Sequence, residues 1–335
     1  MKKVIVTGGL GFIGSHLINM LLEKNVEVII VDNKITNVID DNFFNDKCQI
    51  ISKSIKEVDF NDFKDIDVVF HLASILGPSG VLKHAGDLGK SILDDSIKIR
   101  DYCMNNNILM IDISTSEVYG HPDLLKEDSK KVFPGIYQIR TEYGAGKMLS
   151  EIALVNKARV DERLNFHLIR PFNVTGPRQK PDGGFVLPRF VISALTNQPL
   201  TVFGDGTQRR AFTHVKDICE AVLEIADSKH KNEIWNIGNP NNEMSIKEMA
   251  ELVAEKVKEK FPEKNPEIIF IDPKKIHGPH FAEAIDKVPY VEKINKLLGW
   301  EAKRLAEKII LDVIDYYDKR IKEGYYFDVM GKLSS

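Results

Sequence analysis

Tyr143 and Lys147 stand four residues apart in Tyr143-Gly-Ala-Gly-Lys147, a spacing that puts a phenol and an ammonium on one face of a helix. A phenol is a poor base at neutral pH, but a neighbouring cation favours its ionised form, so the pair could accept a proton from an alcohol. Such a pair often arises by chance. It gains weight from its company: Ser114-Thr115-Ser116-Glu117-Val118-Tyr119-Gly120 precedes it and offers a hydroxyl, that of Thr115, able to bond the same alcohol oxygen.

Near the N-terminus, Gly8-Gly9-Leu10-Gly11-Phe12-Ile13-Gly14 joins the β-branched run VIVTG to the apolar stretch SHLINMLLEK. Gly8 and Gly11 would let the backbone turn tightly against a pyrophosphate, Gly14 would let helix and strand pack closely, and the amides around Phe12 and Ile13 would hold the phosphates. Asp32, followed by Asn33, ends the next β-branched run about 20 residues beyond the turn, where a carboxylate accepts bonds from ribose hydroxyls and repels a 2′-phosphate. That favours NAD over NADP. Leu72, Ala73 and Ser74, after the run DVVFHLA, complete the expected cofactor contacts.

The elements that must position these groups are visible as alternation. Apolar runs at 4–8, 26–32, 48–52, 67–73, 108–114 and 166–171 are separated by helical stretches, the pattern of a parallel sheet covered on both faces. We expect an α/β, Rossmann-type doubly wound domain over 1–171. Beyond it the rhythm breaks into Gly- and Pro-rich segments and amphipathic helices at 245–260 and 304–323, so 172–335 is expected to form mainly a smaller substrate-binding lobe. Its chain would re-enter the first domain at about 211–240.

A chain of 335 residues that is 43% hydrophobic can bury more than one ordinary core. Its 46 basic and 49 acidic residues leave a net charge of -3, which attracts neither nucleic acid nor an anionic membrane in bulk. No stretch has the length and apolarity of a membrane span or a secretion signal, and a cytoplasmic protein is expected. Cys48, Cys103 and Cys219 are scattered, and His277 and His280 lack a carboxylate or cysteine at matching spacing, so no disulfide scaffold and no metal site is expected.

Taken together, TGGLGFIG, DVVFHLAS, STSEVYG, the Tyr143–Lys147 pair, LIRPFNVTGPR, VFGDGTQRRAFTHVKD, NIGNP and LLGW resemble the extended short-chain dehydrogenase/reductases, in the NAD-dependent nucleotide-sugar epimerase/dehydratase group. The resemblance covers nearly the whole chain. It implies transient oxidation at C4 of a nucleotide-activated sugar, with Tyr143 as base, Lys147 holding the nicotinamide ribose, and a homodimer built on two helices of each subunit. Thr115-Ser116-Glu117 and the context of Tyr143 resemble UDP-glucuronate decarboxylases more than the dehydratases of thymidine-linked glucose, which carry Asp-Glu after the threonine, although guanosine-linked dehydratases can use Thr-Ser-Glu. By the same resemblance Ser116 and Glu117 act at the sugar, and Asn173, Arg178 and Arg210 bind the substrate. Asn173 could instead satisfy its own turn, Arg178 could lie in a solvated loop, and Arg210 could serve the diphosphate alone. The chain departs from the pattern at Lys287-Val288-Pro289-Tyr290, where an arginine followed by Pro-Asp is usual. A 4-epimerase, and after it a dehydratase or a C4 oxidase/reductase, are the alternative enzymes; a dinucleotide-sensing scaffold is the non-enzymatic one.

Overall fold

β-branched residues dominate the runs Val4–Val6 and Val28–Val31, and in both every residue is buried, as befits strands covered on two sides. In the computed structural model, which describes residues 1–44, 47–75, 78–120, 125–131, 140–272 and 286–325, these runs become β1 (Lys3–Thr7) and β2 (Glu27–Val31). With β3 (Cys48–Ile51), β4 (Val68–His71), β5 (Leu109–Ile113), β6 (Asn165–Pro171) and β11 (Glu233–Ile237) they form a seven-stranded sheet in the order β11-β6-β5-β4-β1-β2-β3. Every pairing is parallel. The winding reverses between β1 and β4, and in such sheets ligands bind at the strand C-termini beside that reversal.

Helix α1 (Phe12–Glu23) and α6 (Val215–Ala226) cover one face around Val6, Leu17, Ile30, Ile218 and Trp235. On the other face α3 (Leu88–Asn106) and α4 (Arg140–Val160) pack on Ile5, Val69, Met110, Phe166 and Leu168, and on each other. The short α2 (Pro78–Lys83) precedes α3. A second core, centred on Phe190, Val253 and Ile310, joins α5 (Val186–Leu195), α7 (Ile246–Lys260) and α9 (Ala306–Lys322). Around it lie three two-stranded ribbons: β7 (Val174–Thr175) with β10 (Thr213–His214), β9 (Arg209–Ala211) with β12 (Glu243–Ser245), and β8 (Leu200–Phe203) with β13 (Ile268–Ile271). The chain therefore crosses between the cores more than once, returning through α6 and β11 to the main sheet before α7 and closing through α8 (Glu292–Leu298).

Candidate active site

The glycine turn is shaped as its residues require. Gly8 adopts φ +71° and lies so close to the chain after β4 that a Cβ there would meet the Ala73 backbone at 2.8 Å. A Cβ on Gly14 would sit 2.3 Å from the Gly8 carbonyl, and the Gly11 amide donates to that same carbonyl at 3.1 Å. Leu72 and Ala73 are tied to β1, their amides donating to the carbonyl and the hydroxyl of Thr7. Asp32 is buried and accepts from the amides of Leu10 (2.9 Å) and Lys34 (2.7 Å), so its carboxylate is fixed beside the turn; the Asn33 side chain accepts from Ile35. The hydroxyl of Ser74 is buried without a hydrogen-bond partner. The residues fit a dinucleotide: an open helix N-terminus for the pyrophosphate, a fixed carboxylate for the ribose, and a spare hydroxyl at the cleft.

Tyr143 and Lys147 project from α4 and are both buried. The Thr115 side chain lies beside the Tyr143 hydroxyl and favours its ionised form. Thr115 also caps the 3-10 turn Ser116–Tyr119, its hydroxyl oxygen accepting from the Glu117 amide at 3.2 Å. Burial pushes the Tyr143 phenol well above its usual range, against the pull of Thr115, and the charges of Glu117 and Asp112 add to the rise. The Lys147 ammonium donates to the Ile113 carbonyl at 2.7 Å; burial lowers its pKa while Asp112, Glu151 and Asp95 oppose that.

Ser116 is buried in the same turn, and Glu117 reaches across to Lys287, with Nζ and Oε1 2.5 Å apart. Lys287 is only 6% exposed although it comes from the distant segment before α8. Its carbonyl accepts from the Asn173 side-chain amide at 3.0 Å, and its backbone bridges that of Arg210. Asn173, with φ +41°, thus fastens β9 to this segment. Arg210 is buried next to them. Arg178 lies elsewhere: its guanidinium donates to the Ser15 carbonyl at 3.1 Å and covers the Phe43 ring at 4.5 Å, joining the loop after β7 to α1.

Behind the site, Ser114 donates to Glu151 at 2.5 Å, and Glu151 forms a two-pronged pair with Arg170, which also donates to the Tyr119 hydroxyl at 2.8 Å. Sequence reasoning passed over Glu151 and Arg170, and marked Lys287 only as a departure from a pattern. The available signal was charge inside runs otherwise apolar, as in FHLIRP. His277 and His280 lie outside the described residues. Among the described residues no three His, Cys, Asp or Glu gather as metal ligands, and no helix is long and apolar enough to cross a membrane.

A doubly wound parallel sheet, a glycine turn with its acidic partner, and Thr115, Tyr143 and Lys147 beside the C-terminal end of β5 are the features of an NAD-binding enzyme. The chain belongs to the NAD dependent epimerase/dehydratase family, whose description matches residues 4–238. It is 32% identical over 333 residues to a UDP-N-acetyl-alpha-D-glucosaminuronate decarboxylase of Bacillus cytotoxicus, covering 94% of this chain and 98% of that one. Its fold is similar to UDP-glucose 4-epimerase of Thermotoga maritima, solved with UDP-glucose (TM-score 0.81, 26% identity, 95% of this chain and 99% of that one). It is also similar to UDP-glucuronic acid 4-epimerase of Bacillus cereus, solved with UDP-glucuronic acid and NAD (TM-score 0.80, 27% identity, 96% and 100% covered). The protein is an NAD-dependent enzyme acting on a nucleotide sugar.

Proposed function

We propose that the protein decarboxylates a UDP-linked uronic acid through a transient C4 ketone. The observation that carries this reading is the buried Lys287 ammonium paired with Glu117 beside Thr115. Glu117 keeps this ammonium charged inside the protein, so a cation stands beside Thr115 for a sugar carboxylate to share, which a neutral hydroxymethyl group could not do. The name of the Bacillus cytotoxicus relative agrees.

The glycine turn, Asp32 and Lys147 would hold NAD, whose chemistry at C4 would be reversible acceptance of a hydride. Tyr143 takes the proton of the C4 hydroxyl, helped by Thr115, and gives it back when the C4 hydroxyl is restored, while Lys147 stabilises the phenolate. The resulting ketone lies β to the C5 carboxylate, so the electrons of the breaking C–C bond move towards the carbonyl oxygen as carbon dioxide departs. Lys287, poised by Glu117, then supplies the proton to C5, Ser116 steadies the sugar, Arg210 holds the diphosphate, and Asn173 keeps Lys287 and β9 together beside it. Arg178 acts at one remove, through α1. We further place the enzyme in the cytoplasm as a homodimer; the described cysteines are free thiols, as in a reducing compartment.

The test is incubation with NAD and either UDP-glucuronate or its 2-acetamido counterpart, following product mass. Loss of carbon dioxide supports the reading, and Lys287→Met should then cut turnover by about 100-fold or more. Retained mass with inverted C4 configuration would replace it with uronate 4-epimerisation, the second reading, favoured by the likeness to the Bacillus cereus enzyme.

A further inference from the structure

The strand Leu109–Ile113 reads LMIDI, and its one charge, Asp112, is 2% exposed in the middle of the sheet. Register places Thr7, His71 and Asp112 side by side at the C-terminal ends of β1, β4 and β5, on the face that α3 and α4 cover. One carboxylate oxygen of Asp112 accepts from Ser96 of α3 at 3.2 Å; Ser150 of α4 donates to Ser96 at 2.7 Å and lies 3.4 Å from the same carboxylate oxygen. Its other oxygen is buried with no hydrogen-bond partner among the described residues. A carboxylate so placed is expensive unless a cation balances it.

The groups facing it narrow the choice of cation. His71 shares a hydrogen bond with the Thr7 hydroxyl at 2.8 Å, and burial takes its pKa down to about 4, so it is neutral at working pH. Asp95, from α3, is itself acidic and is pushed up by burial. Arg170 is engaged by Glu151. Lys147 remains: it lies one helical turn before Glu151 on α4 and bonds the carbonyl of Ile113, the residue next to Asp112. Among the charges that keep Lys147 protonated against burial, Asp112 acts most strongly, ahead of Glu151 and Asp95.

We propose that Asp112 is a positioning residue that acts through Lys147, its buried carboxylate holding the ammonium charged and so setting the alkaline limit of catalysis. The proposal rests on the reading of Tyr143 and Lys147 as base and partner, but not on which nucleotide sugar is consumed. Without the carboxylate, Lys147 would lose its proton at lower pH, and Tyr143 would lose the cation that favours phenolate.

Two experiments test this. The first is the pH dependence of kcat for Asp112→Asn, which keeps the shape and an acceptor for the two serines, measured with whichever nucleotide sugar turns over. The alkaline limb should move down by about 1 pH unit or more, while Ser96→Ala with Ser150→Ala, which keeps the charge, should leave it in place. A limb unmoved in Asp112→Asn, or moved equally by the serine pair, would overturn the proposal. The second is a urea-unfolding cycle needing neither NAD nor substrate, and therefore readable even if decarboxylation proves wrong. Lys147→Met should lower the unfolding midpoint and added Asp112→Asn should recover part of that loss; strictly additive losses would show that the two charges are not coupled.

Discussion

The Thr115 hydroxyl accepts from the backbone of its own turn and stands beside the Tyr143 phenol, where it favours the ionised form. Burial meanwhile holds that phenol protonated in the protein alone. Base strength must therefore be generated when cationic partners come together at the site, which separates binding from chemistry. Accordingly, Tyr143→Phe should lower kcat by at least about 100-fold while leaving NAD affinity nearly unchanged, as read by steady-state rates and by fluorescence titration of the dinucleotide. Turnover close to that of the parent protein would remove Tyr143 from the mechanism.

Helices α3 and α4 do two jobs. Inward, Glu142, the residue before Tyr143, accepts from the amides of Gly86 (2.6 Å) and Gly89 (3.0 Å), so α4 caps the start of α3 and the helix carrying the catalytic pair is fixed against its neighbour. Burial works against the charge of Glu142, yet these amides hold its pKa below the usual carboxylate value. Outward, α4 exposes Leu149 (49%) and Ile152 (42%), and α3 carries the half-buried Leu93 and Ile97. Apolar side chains gathered on one face of a helix pair mark a place where another surface docks. The proposed homodimer should become a folded monomer in Leu149→Glu combined with Ile152→Glu, judged by light scattering with unchanged circular dichroism; a dimer that persisted would move the interface elsewhere, and a monomeric parent protein would remove the homodimer from the proposal.

Among the described residues four histidines are buried in different layers: His16 on α1, His71 on β4, His167 on β6 and His214 on β10. Burial is the main cause in each case, and their pKa values fall from 6.5 to about 3 for His16 and about 4 for the other three. An unfolded chain takes up these protons near pH 6.5 while the folded one does not, so protonation favours unfolding. The stability they contribute is present above pH 6.5 and is lost as pH falls from there towards 4. Urea midpoints recorded across that window should decline with falling pH, and His167→Gln, which replaces the acceptor of the Trp235 indole, should make the decline shallower. A midpoint constant from pH 6.5 to 4 would contradict the burial of neutral imidazoles.

The parts of this protein that the sequence alone determined are those carried by local geometry. A glycine turn between strand and helix, an acidic residue after the second strand, a phenol and an ammonium one helical turn apart, and the alternation of apolar runs each work through neighbouring residues, so spacing reveals them. Only the tertiary structure brought Lys287 onto Glu117, seated Arg170 against Glu151, and turned Arg178 towards α1. The physical reason is that a buried charge is tolerated where packing supplies its partner, and that partner comes from whichever element the fold lays alongside. Asp112 shows the division within one residue: its type stands out in LMIDI, but its neighbours Ser96, Ser150 and Lys147 are chosen by the way α3 and α4 cross the sheet.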